Sequence, residues 1–436
     1  MTSAFPILLL IGLLIVFLLL SVPVFASLGL ASLITVSTAG IPLNIISQEF
    51  YSNIATFPLM AVPFFLLAAG IMEQSNLSKR IVDISDAIVG SIRGGLALTG
   101  LLACAIFSTI SGSSVATTAG VGSIVMPRMI EQGYDRRFAV GSIVAGGTLG
   151  ILIPPSIPLI VYGFVTGTSI VTLFVAAIVP GILLAAALML TTYVFARRGL
   201  NAGPPRTITW EDRKTKLLGG IWTLLVPLGI FIGIYGIPGV TSAIFTPTEA
   251  SIVAVFLALL VAIVIYRDFH IRDLPAVLTE ASTRIGVILL IIASAMLFAF
   301  VVNNARIPQL VADYFLSIDL TPALFLLLVN VILFLAGDFI DALPIILIFV
   351  PVLFPTAMEL GIDPVQFGIM VTVNLEMGAI TPPVGLNLFV ASSITKMDLY
   401  EVLRASAPWI LVVVAMVVLV TYVPAVSLWL PGLMGY

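Results

Sequence analysis

The sequence predicts an all-α polytopic membrane protein made of two inverted repeats, each with a re-entrant helical hairpin and a broken helix. Three observations carry that prediction: an apolar composition with little charge, a set of basic residues confined to a few loops, and a self-match in which the prolines and glycines of one half fall on those of the other. Of 436 residues, 60% are hydrophobic and 9% charged, and the mean hydropathy is +1.24. Soluble chains carry about 25% charged residues, so most of this surface meets lipid and a soluble enzyme is excluded. The net charge of -3 points to no nucleic-acid partner. Cys104 and His270, each the single residue of its kind, offer no disulfide and no zinc or haem constellation, so no cofactor is expected.

A spanning helix needs about 20 apolar residues. Such stretches cover 5–39, 57–73, 170–195, 217–236, 243–266, 285–301 and 408–430. No Lys or Arg precedes Lys79, so a secretory signal peptide is not expected. The first stretch reads as one long tilted helix or as two short ones broken near Pro23. Between 77 and 94, Ile81, Ile84 and Ile88 recur at helical spacing among Lys79, Arg80, Asp83 and Asp86, the pattern of an amphipathic interfacial helix. Four more apolar regions, 95–127, 138–166, 322–356 and 366–394, are interrupted near their middles by Gly, Ser, Asp or Pro. Thr246-Pro247-Thr248-Glu249 reads as an N-cap, a first-turn proline and a capping-box glutamate. Glu73 is expected at an interface, and Trp210, Trp222, Trp409 and Trp429 as anchors at span ends.

Basic residues are retained on the cytoplasmic side. Loops 77–93, 128–137, 196–216, 267–284 and 396–404 hold 17 of the 18, and only Arg306 lies elsewhere. With all five loops cytoplasmic, 95–127 enters and leaves on one side, as a re-entrant hairpin. An ungapped shift of 228 positions then superposes Pro127 on Pro355, Gly133 on Gly361, Gly150 on Gly378, Pro154-Pro155 on Pro382-Pro383 and Pro180 on Pro408. Loop 128–137 carries Arg128, Arg136 and Arg137, whereas its mate 357–365 carries only Glu359 and Asp363. The copies therefore face opposite sides, as in secondary transporters whose sites lie at the midplane where half-helices end.

The first hairpin tip, Phe107 to Ser114, gathers hydroxyls and a glycine inside an apolar run, and lipid cannot satisfy such groups. Back-bonding to their own helix is the plain alternative for single residues. Adjacent prolines at 154–155 free upstream carbonyls, those of Gly150 and Ile153, for a cation. The second half repeats this with Gly378, Thr381 and Pro382-Pro383, opposite a tip containing Gly337, Asp338 and Asp341. Two such cages imply two cation sites. Carboxylates at membrane depth cost at least about 2.5 kcal/mol and are functional hypotheses by default; Asp338, Asp341 and Glu376 are the candidates for ion or proton coupling.

These residues resemble one family over nearly the full chain: the large membrane (M, DctM-like) subunit of tripartite ATP-independent periplasmic (TRAP) transporters. The motifs are Phe107 to Ser114, Gly150 to Ser156, Gly236-Ile237 with Phe245 to Ala250, Gly337 to Asp341 with Pro344, and Thr381 to Gly385. The resemblance implies an elevator-type scaffold plus transport domain in the bacterial inner membrane, coupling sodium entry to uptake of a carboxylate-bearing solute. Residues 1–94 would be scaffold helices and an arm, 95–195 transport repeat 1, 196–301 central scaffold helices, 302–430 transport repeat 2 and 431–436 a tail. Implied partners are a periplasmic substrate-binding protein and a small four-helix membrane subunit, expected as a separate chain. By motif, sodium ligands fall on Ser108, Ser111, Gly150, Ile153 and Pro154 for one site and on Gly337, Gly378 and Thr381 for the other. Asp338 departs from the apolar residue expected there. Substrate contacts are assigned to Ser113, Ser114, Ser156 and Asn387, with no Arg in the tips to meet an anion.

A stand-alone sodium- or proton-coupled carboxylate symporter of the wider elevator type is the alternative. A membrane enzyme is disfavoured because no nucleophile is matched with a base. An open channel is disfavoured because broken-helix cages suit occlusion.

Overall fold

The computed structural model of the protein describes residues 4–199, 203, 206–236 and 243–436. Ile237, part of one family motif, and stretches of loop 196–216 lie outside the described residues. Every regular element described is helical. Seven helices are long and apolar enough to cross a membrane, or eight if Pro58–Gln74 and Leu77–Val89, which meet at a 74° bend, form one span. Leu77–Val89 carries Lys79, Arg80, Asp83 and Asp86, the charges from which an interfacial arm is expected.

Helix-breaking residues divide each repeat as the sequence implies. The first hairpin consists of Gly95–Ser111 and Ser114–Glu131, turned by Gly112 at a φ of 56°, a left-handed conformation that a glycine adopts without strain. Next comes the first broken helix, Arg136–Gly147 with Leu149–Leu152, interrupted at Ile153 to Ser156 and resumed as Ile157–Thr166. The second hairpin, Pro322–Gly337 and Ala342–Glu359, precedes Pro364–Ala379, a break over the second Pro-Pro pair, and Leu386–Thr395. Within Arg136–Thr166, 94% of the most apolar window is buried, against 39% for Pro247–Ile265. The broken helix is thus sheathed by protein on all sides, where irregular backbone is tolerated. Ile157–Thr166 packs on Ala342–Glu359 of the other repeat, as Leu386–Thr395 packs on Ser114–Glu131.

The repeat reaches further than the matching prolines. The same offset carries Val24–Thr38 onto Pro247–Leu259 and the turns after it, and Ala61–Gln74 onto the second half of Leu274–Asn304. Val24–Thr38 packs along Leu274–Asn304, and Ala61–Gln74 along Pro247–Leu259, an exchanged pairing expected of symmetric halves. The offset also predicts a second arm, and Ile307–Ser317 occupies that place.

Several expectations change in detail. The first stretch is two helices, Ala4–Leu19 and Val24–Thr38, broken before Pro23 and packed on one another. The expected span 408–430 ends at Tyr422, because Pro424 lacks an N–H and disfavours the helical conformation at Val423; Ala425–Met434 then forms a short helix that takes in much of the expected tail. On the first arm Ile81 and Ile84 are buried as the amphipathic reading expects, whereas Ile88 is exposed and Asp86 buried. Trp409 is no interfacial anchor: it is buried, and its Nε1 donates to Thr192 Oγ1 at 2.8 Å. The capping box at Thr246 and Glu249 forms as expected, and Glu73 pairs with Arg284 at 3.4 Å.

Candidate functional site

Each hairpin tip presses against the break in its own repeat's helix, and glycines permit the contact. A Cβ on Gly150 would lie 2.5 Å from the Ser113 carbonyl oxygen and 2.7 Å from Ser114 Cα. At the matching place, a Cβ on Gly378 would lie 2.5 Å from Gly337 C and 2.6 Å from its oxygen. Both Pro-Pro bonds are cis. Because prolines have no N–H, the carbonyls of Gly150 and Ile151 face Pro154 and Pro155 without a helical donor, and those of Gly378 and Ala379 face Pro382 and Pro383 likewise. Three acceptors, the carbonyls of Gly150, Ile151 and Ala379, are thereby freed from the helical ladder, whereas Gly378 O still accepts from Thr381 N at a long 3.5 Å.

The tip hydroxyls divide into two kinds. Ser108 back-bonds to Cys104 O at 2.6 Å, and Thr109 to Ile106 O at 2.6 Å, as the plain alternative has it. Ser111 instead meets Thr117 Oγ1 at 2.8 Å, across the turn of the hairpin. Ser113 caps the second hairpin helix, accepting from Ala116 N.

Glu376, at the end of the second repeat's broken helix, reaches into the first repeat. Its Oε2 accepts from Ser114 Oγ at 2.9 Å and its Oε1 from the Ile151 amide at 3.3 Å, while Asn387 Nδ2 donates to Ser114 Oγ at 2.6 Å. All three side chains are buried. One carboxylate thus ties together the first tip, the first break and both sides of the second break. Asn387 Oδ1 and Thr118 Oγ1, near one another against Gly147, are buried without partners. Asp338 Oδ1 lies 2.7 Å from Thr381 Oγ1, which also lies 2.6 Å from Met377 O, and the Asp338 carbonyl accepts from Val384 N at 3.0 Å. Among the described residues no basic side chain pairs with Asp338, Asp341 or Glu376.

Between the two tips lies a cavity of about 390 Å³, lined by Ser113, Ser114, Ile151, Gly337, Asp341 and Gly385, with Leu66 and Ile288 lining it from outside the two repeats' hairpins and broken helices. Four helix N-termini converge here: Ser114–Glu131, Ile157–Thr166, Ala342–Glu359 and Leu386–Thr395. Their partial positive charge favours an anion. Ser113, Ser114 and Asp341 meet at this cavity, whereas Ser156 does not line it: its hydroxyl is buried and caps Ile157–Thr166 by accepting from Leu159 N. Leu66 and Ile288 were invisible as site residues, because nothing distinguishes one apolar residue of a span from its neighbours.

A second polar centre lies at the base of the first hairpin, at the end away from its tip. Asp86 on the arm accepts from Arg206 at 2.8 Å, from Lys216, and from Thr99 Oγ1 at 3.3 Å. Burial pushes its carboxyl up, but Lys216 and Arg206 outweigh burial and hold it below the ordinary carboxylate value.

A family model described as "Tripartite ATP-independent periplasmic transporter, DctM component" matches residues 11–426. The chain is similar to the C4-dicarboxylate TRAP transporter large permease protein DctM of Pseudomonas aeruginosa, with 43% identity over 412 residues and 94% of each chain. It is similar also to the 2,3-diketo-L-gulonate TRAP transporter large permease protein YiaN of Escherichia coli, with 39% identity over 382 residues and 88% of each chain. Among solved structures, the Alcanivorax borkumensis YdaH transporter matches 86% of each chain with a TM-score of 0.58 at 15% identity, a likeness of fold alone.

Proposed function

The chain belongs to the DctM component family of tripartite ATP-independent periplasmic transporters, and from that membership and the geometry of its two tips we propose sodium-coupled uptake of a C4-dicarboxylate or a related organic acid by an elevator mechanism. It is the large permease of such a system, in the bacterial inner membrane. In this reading a small membrane subunit braces it and a periplasmic binding protein delivers the solute. The observation that carries the reading is the occurrence, at both helix breaks, of freed carbonyls beside carboxylates that no basic side chain pairs among the described residues, with Asp341 lining the cavity between the tips. Such a centre holds more negative charge and more acceptors than its own donors satisfy, so it needs mobile cations.

One sodium ion would sit among Ser108, Ser111 and the carbonyls of Gly150, Ile153 and Pro154; a second would sit among Gly337, Gly378 and Thr381. Their occupation holds each tip against its helix break. The solute's carboxylates then gain from the convergent helix N-termini, from Ser113 and Ser114, and from the bound ions, with Asn387 orienting Ser114. Sodium and solute therefore stabilise one another's sites, which is the linkage that coupling requires. Leu66 and Ile288 line the cavity with apolar surface that forms no directional bonds. Sliding of the hairpins and broken helices past these two side chains breaks no bond of theirs, whereas the polar contacts of the arm with the first hairpin, Asp86 to Thr99 and Asp83 to Arg128, would have to move with it.

The test is uptake of labelled succinate into proteoliposomes holding this chain and its small subunit, with binding protein outside and an inward sodium gradient. Sodium-driven accumulation that vanishes without binding protein is expected. Equal uptake without the binding protein would favour the stand-alone symporter, and uptake indifferent to sodium would remove the coupling ion.

A further inference from the structure

We propose that Asp338 is a direct ligand of the cation in the second cage, supplying in one carboxylate what the first cage supplies in hydroxyls. The inference rests on the reading of the two cages as sodium sites.

The offset that relates the repeats carries Ser108 onto Ala336 and Ser111 onto Phe339, so the second tip has lost both hydroxyls. Phe339 is 67% exposed and brings no polar atom to the break. In the same comparison Ile110 becomes Asp338 and Ile153 becomes Thr381. A carboxylate and one hydroxyl thus appear in the copy that has lost two hydroxyls. Both lie at the contact between Gly337 and Gly378, where the tip meets the helix break.

The hydrogen count at this point is one short. Thr381 Oγ1 lies 2.7 Å from Asp338 Oδ1 and 2.6 Å from Met377 O. A hydroxyl carries one hydrogen, and neither a carboxylate nor a carbonyl brings another. Only one of these two short oxygen contacts can be a hydrogen bond donated by Thr381. The other sets lone pair against lone pair unless a cation lies among the three oxygens or a proton sits on Asp338, two cases that the sodium dependence of melting separates. No basic side chain among the described residues pairs with Asp338. A cation drawn into this cluster relieves the contact, neutralises the buried carboxylate and can add to its shell the freed carbonyl of Ala379 and that of Gly378, which is held only by a long 3.5 Å bond from Thr381 N. Val384 N, donating to the Asp338 carbonyl at 3.0 Å, holds the tip in register with the loop while the ion enters.

Asp338→Asn tests the assignment with a sign that a structural role does not share. The asparagine amide donates to Thr381, whose hydroxyl then donates to Met377 O, so the variant closes its hydrogen bonds with no ion present. Melting temperature is measured on the purified protein against sodium chloride, with choline chloride holding ionic strength constant. The variant is expected to melt no lower than the wild type in choline alone, and to need about tenfold more sodium for half of the full stabilisation. Asp338→Ala, which keeps no polar group, is expected to show the same loss of sodium response. A variant with wild-type sodium dependence would overturn the ligand assignment and leave the sodium reading of the first cage intact. Lower melting in both salts with an unchanged sodium midpoint would make Asp338 a structural tie, and also overturn it. A wild type that responds alike to sodium and choline would overturn this assignment together with the sodium reading.

Discussion

Gly150→Ala puts a methyl group where the first tip rests, and the structure sets the size of the effect. Its Cβ would lie 2.5 Å from the Ser113 oxygen, whereas ordinary contact begins at 3.4 Å, so the tip must retreat by about 0.9 Å, the difference of the two. The three nearest atoms all belong to the backbone of Ser113 and Ser114, and no side-chain rotation relieves the clash. Overpacking of this kind costs about 1–3 kcal/mol. If the ion is bound only when the tip is seated, that cost appears as a loss of apparent sodium affinity of roughly 5- to 150-fold. Alanine also gains helix propensity of up to about 1 kcal/mol over glycine, but that gain acts equally in every salt. The assay is therefore the midpoint of sodium-dependent thermal stabilisation, with potassium holding ionic strength. Gly286→Ala is the control, because no atom lies within 4 Å of its added Cβ; its sodium midpoint should not move. A Gly150→Ala protein that folds and keeps the wild-type midpoint would refute the argument that tip and break form one cation site.

Glu376→Gln keeps an acceptor for the Ile151 N–H but turns a donor towards Ser114 Oγ, whose hydrogen loses its carboxylate acceptor, and removes the buried negative charge; sodium-driven uptake should fall at least tenfold in proteoliposomes while the folded yield is kept. Asp86→Asn should lower stability by about 1–3 kcal/mol, less than a fully buried pair because Arg206 and Lys216 keep partial access to water. The pH dependence has a definite sign. The Asp86 carboxyl is held below its ordinary value of 3.8, so its contribution is complete above that pH and is lost as pH falls through the lower folded value; acid melting curves of wild type and Asp86→Asn should converge below about pH 4. Thr246→Ala removes the side chain that accepts from Glu249 N, and should cost about 0.5–2 kcal/mol in thermal unfolding without changing the sodium midpoint.

Helix breaks were legible in the sequence because Pro and Gly act on the backbone wherever they stand. Pro154-Pro155 and Pro382-Pro383 marked both breaks, and Gly150 and Gly378 marked both contacts, before any packing was known. The symmetry of Val24–Thr38 with Pro247–Leu259 was not legible, since lipid-facing positions accept any apolar residue and leave no matched letters. The second arm, Ile307–Ser317, was hidden for a similar reason, being short and carrying Asp313 as its one charge. Asp86 was misplaced on the solvent face because its countercharges come from 120 and 130 residues along the chain. Trp409 was misread likewise, its acceptor Thr192 lying 217 residues away. The bridge from Glu376 to Ser114 and Ile151 joins the two repeats, and an offset comparison can align repeats but cannot say where they touch.

Equilibrium binding of radioactive sodium to the purified protein, in excess potassium, tests the central claim most directly. Two saturable ions per chain are expected, with Gly150→Ala and Gly378→Ala each weakening one of them and leaving the other. Absence of saturable sodium binding to folded protein, or loss of both ions in either variant alone with a folded sample, would contradict two separate cages.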